Sequence, residues 1–346
     1  MYRLHPLLEA YDTILLDLDG VITSEEVYWN TAALTVWEFL NSSHYYGTDT
    51  IQPAAAMEQL SFIRDEVFCQ DAVIKTVKER GINNNWDLAW FVISGALVLK
   101  THDYMAIYQW ILSLPETASD LCYAVSTDLQ EKAGLPAEEA EHHGHLWQRV
   151  QLSFQEWFLG SDLFPAHWNS PVLQTGKPGL TFGEEPLVNK DKLIILLRLL
   201  AKEKTLGIGT GRPRIEMLNP LKNWGVYDCF RAEAVVTHHE VQSAQQVLRV
   251  TMPELVLTKP HPFIFLKGIF GDSVTDEDLI AGRYDVSRCK KTLVVGDAGC
   301  DLFAAKAAGC DFLAVLTGIG GESARDYFAK EGADYILNHV LELLES

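Results

Sequence analysis

Two aspartates one residue apart, Asp17 and Asp19, close the apolar run ILLDLDGVIT (residues 14–23) and are followed at once by Gly20. Like charges that near repel, so carboxylates gathered at the tip of a strand call for a cation or a reaction. Three more polar clusters each follow an apolar run: Thr210-Gly211-Arg212, Lys259-Pro260, and Gly296-Asp297 with Asp301. Strand periodicity would point Asp17 and Asp19 to one side. With Asp297, and with Asp301 in or near the same shell, they form a hard-oxygen set that suits Mg2+. A carboxylate can attack phosphorus to give an aspartyl-phosphate. A second one, two residues on, can protonate the leaving oxygen and later deprotonate water. Lys259 would place a fixed positive charge beside the nucleophile and the phosphate. The Thr210 hydroxyl and the amides after it would hold phosphate oxygens, and Arg212 is the local candidate for a cation facing the substrate. Gly20 lets the backbone turn sharply beside a ligand.

These groups lie far apart in the chain, so a fold must gather them. Residues 13–18 read as a buried strand. After residue 186 the pattern is strand-helix alternation, with strands expected in TLGIGTGRP (205–213, running into a loop) and at 234–237, 292–297, 312–316 and 335–338, and helices at 193–204 (capped by Asn189), 213–222, 262–270, 300–308 and 322–331. Short apolar strands alternating with helices imply a parallel sheet covered on both faces. In such sheets ligands bind beyond the carboxyl ends of the strands, which would bring the four clusters to one edge. Between strand one and residue 186 the spacing is helical instead, with candidate helices at 25–41, 54–79, 86–112 and 138–159 and a turn and N-cap at Asn83–Asn85. Eight of the nine tryptophans fall between Trp29 and Trp168, which reads as helix-on-helix packing. The Gly- and Pro-rich stretch TGKPGLTFGEEPL (175–187) reads as a linker. The expected organisation is an α/β core (1–23 and 186–346) with a large helical cap (24–185) inserted after its first strand. Residues 20–25 and 176–186 would be the hinges.

Composition narrows the function further. The chain has 346 residues, 48% hydrophobic and 22% charged, as expected of a globular protein of two domains. Its formal net charge is −19, and residues 24–185 hold 22 Asp and Glu against 8 Lys and Arg. Such a surface repels nucleic acid and anionic membranes, so neither is an expected partner. The longest apolar run, residues 88–99, is too short to span a bilayer. Six cysteines without a CxxC pair, and no leader-like segment before the first strand, favour a reducing cytoplasm. The triplet of histidines in EHHGHLW (142, 143, 145) lacks ordinary zinc spacing and reads as a loop or helix start. His238-His239-Glu240 reads as a surface turn, and TGIGGE (317–322) as a rim or an anion nest.

Taken together, DLDGVIT, GTGRP, LTKPHP and VVGDAGCD resemble the four motifs of the haloacid dehalogenase-like (HAD) hydrolase superfamily, the first as in phosphoglycolate phosphatases and β-phosphoglucomutases. The resemblance covers about residues 12–23 and 186–346. It implies a Rossmann-like core with a helical cap, Asp17 as nucleophile and Asp19 as general acid and base. It implies that Thr210 and Lys259 bind the phosphoryl group and that Asp297, with Asp301 in or near the shell, ligates Mg2+. The second aspartate of the first motif, absent from dehalogenase members, favours phosphoryl chemistry. The insertion is about twice the size that a four-helix cap needs, and Ser24-Glu25-Glu26 stands where many relatives have an Asp-Ser or Asp-Thr pair. The expected activity is Mg2+-dependent hydrolysis of a small phosphorylated metabolite, with the cap closing to exclude water. The alternatives are a phosphomutase and a non-catalytic metal- or phosphate-binding regulator.

Overall fold

The computed structural model describes residues 2–82 and 84–345. Residues 1–25 and 184–346 form one compact unit, and residues 26–183 form a second. In the first, six strands build a single parallel sheet: β1 (Thr13–Leu16), β2 (Thr205–Gly209), β3 (Val235–Val236), β4 (Thr292–Gly296), β5 (Asp311–Val315) and β6 (Tyr335–Leu337). Their order is β3-β2-β1-β4-β5-β6, with β1 in the middle. Alternation along β1 sorts its side chains. Ile14 and Leu16 join Leu196, Leu200, Met217 and Leu221 on one face of the sheet. Leu15 joins Phe265, Leu302 and Phe312 on the other. Each of the three β1 residues is fully buried, about 1.5–3 kcal/mol of transfer free energy apiece. The architecture is a Rossmann-like sheet flanked by helices, and the reading of short apolar strands as a parallel sheet holds.

Register sets the site. Leu16 pairs with Ile208 on β2 and with Val295 on β4, so the carboxyl ends of the three central strands finish level. Whatever follows them is delivered to one edge. Past β1 the chain turns at once. The Gly20 amide donates to the Thr23 carbonyl at 2.8 Å, and Gly20 has a φ of +73°, which glycine adopts without strain. Beside this turn the outgoing and returning segments pair, the Leu187 amide donating to the Ile22 carbonyl at 3.0 Å.

The second unit is helical, but its helices break where the spacing alone predicted continuity. The stretch 54–79 is three helices, Pro53–Glu58, Leu60–Val67 and Ala72–Glu79, because Cys69, Gln70 and Asp71 all take left-handed φ. The stretch 86–112 is two, Asn85–Leu99 and Tyr104–Ser113, broken at Lys100 with φ +54°. Asn84 caps the first of them by accepting from the Trp86 amide, whereas Asn83 lies outside the described residues. A helix at Ala118–Glu131, unforeseen in the spacing, follows a Thr117 N-cap. The last, His145–Trp168, runs further than expected and kinks at Gly160, where Gly179 packs so closely that a Cβ would collide with its backbone at 2.8 Å. His142 and His143 stand in the turn before it, and His145 begins it. Lys177 is buried here between Glu38 Oε2 (2.6 Å) and Glu156 Oε2 (2.8 Å). No described helix is long and apolar enough to cross a membrane, and all six cysteines are free thiols.

Candidate active site

Asp17 is the first residue beyond β1, and its amide donates to the Val295 carbonyl of β4 at 2.8 Å. Asp297 is the first residue beyond β4, one strand away. Asp301 lies in the first turn of the helix Gly299–Ala308, where the macrodipole favours a carboxylate. One oxygen from each of the three lies within 4.8 Å of the others, the only such grouping among the described residues. Lys259 comes from the segment before the helix Phe263–Phe270, with its ammonium 3.0 Å from Asp17 Oδ1 and 2.6 Å from Asp301 Oδ1. The four groups foreseen from three separate motifs therefore meet.

Three glycines make room for them. A Cβ on Gly20 would lie 2.2 Å from Asp297 Oδ2, one on Gly318 1.9 Å from the same oxygen, and one on Gly296 2.6 Å from Asp301 Cβ. Gly318 belongs to the TGIGGE loop. It backs Asp297, and the neighbouring Thr317 hydroxyl donates to the Gly20 carbonyl at 2.5 Å.

The electrostatics is that of an acidic pocket short of positive charge. Burial pushes the Asp17 carboxyl up to about 7; Lys259 opposes this, and the Asp301 and Asp19 charges reinforce it. Burial, then Asp301, Asp17 and Glu25, hold Asp297 well above the usual carboxylate range. Burial would lower Lys259, but Asp17 and Asp301 more than reverse this and keep it an ammonium. Burial, with Asp301, pushes the Cys300 thiol up to about 12, so this neighbour is no thiolate at neutral pH. Asp301 is 1% exposed, and its Oδ2 has no hydrogen-bond partner among the described residues. A hard divalent cation answers both the excess of negative charge and the orphaned oxygen, so the donor set fits Mg2+.

Two expectations need correction. The Asp19 side chain is outside the three-carboxylate grouping, although its charge acts on both Asp17 and Asp297. It accepts instead from Arg212 Nε (2.9 Å to Oδ2), Arg212 Nη2 (2.5 Å to Oδ1) and the Thr23 hydroxyl (3.1 Å). Arg212, expected to face the substrate as a cation, is instead buried in ion pairs. It is 3% exposed and also pairs with Glu184, a buried acid that nothing in the sequence singled out. The other members of that motif remain at the site edge. Thr210, 1% exposed, follows β2; its amide donates to the Val236 carbonyl, and its hydroxyl oxygen accepts from the Arg212 amide at 3.2 Å. Gly211 is exposed, and a Cβ there would meet nothing within 4 Å. His238 and His239 are not a turn: they open the helix His238–Leu248, capped by Thr237 with Glu240 in a capping box.

Residues 256–343, which carry Lys259, Asp297 and Asp301, match a family model described as HAD-hydrolase-like. A crystal structure described only as a Northeast Structural Genomics Consortium target is similar over 96% of this chain and 97% of its own, with a TM-score of 0.84 and 26% identity. A phosphatase, Tt82 from Thermococcus thioreducens, is similar in fold over 95% of this chain and 92% of its own, with a TM-score of 0.50 and 17% identity. No curated protein sequence matches. The chain thus resembles the haloacid dehalogenase-like hydrolases, by family model over residues 256–343 and with its motif residues gathered at one sheet edge.

Proposed function

We propose that this hydrolase is a Mg2+-dependent phosphatase that cleaves a small phosphomonoester through an aspartyl-phosphate on Asp17. The observation that carries the reading is Lys259 lying 3.0 Å from Asp17 and 2.6 Å from Asp301 while three carboxylates crowd within 4.8 Å. Asp17, Asp297 and Asp301 would hold the Mg2+, which supplies charge neutralisation for an anionic nucleophile approaching an anionic phosphoryl group. Asp17 Oδ attacks phosphorus, and the bond from phosphorus to the ester oxygen breaks. Asp19 gives its proton to that oxygen. It then takes a proton from water, which attacks the acyl phosphate and releases inorganic phosphate and free Asp17. Lys259 favours the ionised form of Asp17 against its burial and faces the charge that develops on the phosphoryl oxygens. Thr210 presents its hydroxyl at the tip of the neighbouring strand. The net charge of −19 argues against nucleic acid and membranes as partners, which leaves a small metabolite.

The test is Asp17→Asn assayed with p-nitrophenyl phosphate in the presence of Mg2+. The variant should fold like the wild type and lose hydrolysis, and retention of a tenth of the rate would remove Asp17 from the nucleophile role. Chelation should abolish wild-type turnover and Mg2+ should restore it; metal-indifferent activity would contradict the three-carboxylate site.

A further inference from the structure

The guanidinium of Arg212 is 2% exposed and grips two carboxylates at once. Nε and Nη2 hold Asp19 at 2.9 and 2.5 Å, and Nη1 and Nη2 hold Glu184 at 3.0 and 2.7 Å. Glu184 is itself only 2% exposed, and its carbonyl accepts from the Trp224 indole at 3.0 Å. The backbone of Arg212 is anchored too: its amide donates to Thr210 Oγ1, and its carbonyl accepts from the His238 amide. Asp19 is the outer member, with a side chain 26% exposed, and its own turn offers it one hydrogen bond, from the Thr23 hydroxyl at 3.1 Å. We propose that Arg212 is a positioning residue that aims the Asp19 carboxylate through a bidentate pair, with Glu184 holding the guanidinium from behind. This rests on the reading of Asp19 as general acid and base.

The second carboxylate has a structural purpose. Glu184 holds the guanidinium through Nη1 and Nη2, so the planar fork is fixed and the Asp19 carboxylate paired with its Nε and Nη2 is held in one direction. Burial holds Glu184 above its ordinary value; Arg212 opposes this and Asp19 reinforces it.

Aryl phosphates of graded leaving-group acidity, from p-nitrophenyl to phenyl to p-methoxyphenyl, separate this from the bland alternatives. A poor leaving group needs the proton and a good one does not. For Arg212→Met, kcat should fall roughly 100-fold on phenyl phosphate but only a few-fold on p-nitrophenyl phosphate, with KM unchanged for both. Arg212→Lys should recover part of the loss. Glu184→Gln should steepen the same dependence on leaving group. Parallel losses on all three substrates would mark a merely structural residue and overturn the proposal. A rise in KM at constant kcat would instead make Arg212 a substrate-binding cation and overturn it equally. Should Arg212→Met fail to fold, Arg212→Lys and Glu184→Gln decide by the same slope. A wild-type protein inactive on the whole series would defeat the phosphatase reading itself, whereas an active wild type with parallel losses would defeat only the role of Arg212.

Discussion

Gly318 offers the sharpest test of the metal site, because it touches a proposed ligand without being one. Its backbone is outside the left-handed region, so alanine brings no conformational strain. The added Cβ, however, would lie 1.9 Å from Asp297 Oδ2 and 2.9 Å from Asp297 Cβ. Ordinary carbon contacts need about 3.5 Å, so something must yield by about 1.5 Å. The loop is tied by the Thr317 hydroxyl to the Gly20 carbonyl and by the Gly321 amide to the Gly318 carbonyl at 3.0 Å. The carboxylate of Asp297 is the freer partner. Ligand distances tolerate only about 0.2 Å, so this shift removes one of three protein donors. Gly318→Ala should weaken Mg2+ affinity by at least the roughly 10–100-fold typical of losing an outer-shell support. Rate at saturating metal should fall by roughly 100-fold, as a misplacement of about 1 Å does elsewhere. Calorimetric titration with Mg2+ and the metal dependence of kcat measure both. Melting in chelator should be unchanged or slightly raised, since moving Asp297 from Asp17 and Asp301 relieves repulsion. Affinity within threefold of wild type, in a folded protein, would refute the assignment of Asp297 as a ligand.

Two predictions concern the helical unit. Lys177→Met leaves Glu38 and Glu156 buried without their shared cation and should destabilise this unit by about 3–5 kcal/mol, with Glu38→Gln recovering part. Tryptophan fluorescence in urea reads this unit, which holds eight of the nine tryptophans, and an unchanged midpoint would contradict the energetic role of the ammonium. His142 lies 2.9 Å from Asp87; burial would lower its pKa, but hydrogen bonds to Asp87 and Cys122 outweigh that and push it up to about 9. Its folded pKa is thus above the unfolded value of about 6.5, so its contribution is full below that pH and lost as pH rises through about 9. Melting temperature should drop more between pH 7 and 9.5 in the wild type than in His142→Gln, and equal drops would remove this ion pair from the account.

Much of the site was legible in the residues. Apolar runs of strand length, each ending in a polar cluster, can satisfy their backbone groups only by pairing, and pairing in parallel brings their tips to one edge. That is why Asp17, Lys259, Asp297 and Asp301 could be placed together. Helix ends in the inserted unit were less legible, because Cys69, Gln70, Asp71 and Lys100 adopt left-handed backbone that their side chains do not announce.

The sequence by itself determined the chemistry available, four acids, an amine and an alcohol beyond strand ends, and the parallel sheet that collects them. Only the tertiary structure decided that Asp19 and Arg212 face each other with Glu184 behind, and that Gly318 is the wall behind Asp297. Periodicity governs a side chain only while its strand lasts. Beyond Leu16 the Asp19 carboxylate is held by Thr23 four positions on and by Arg212, 193 positions away, whose approach no local pattern encodes.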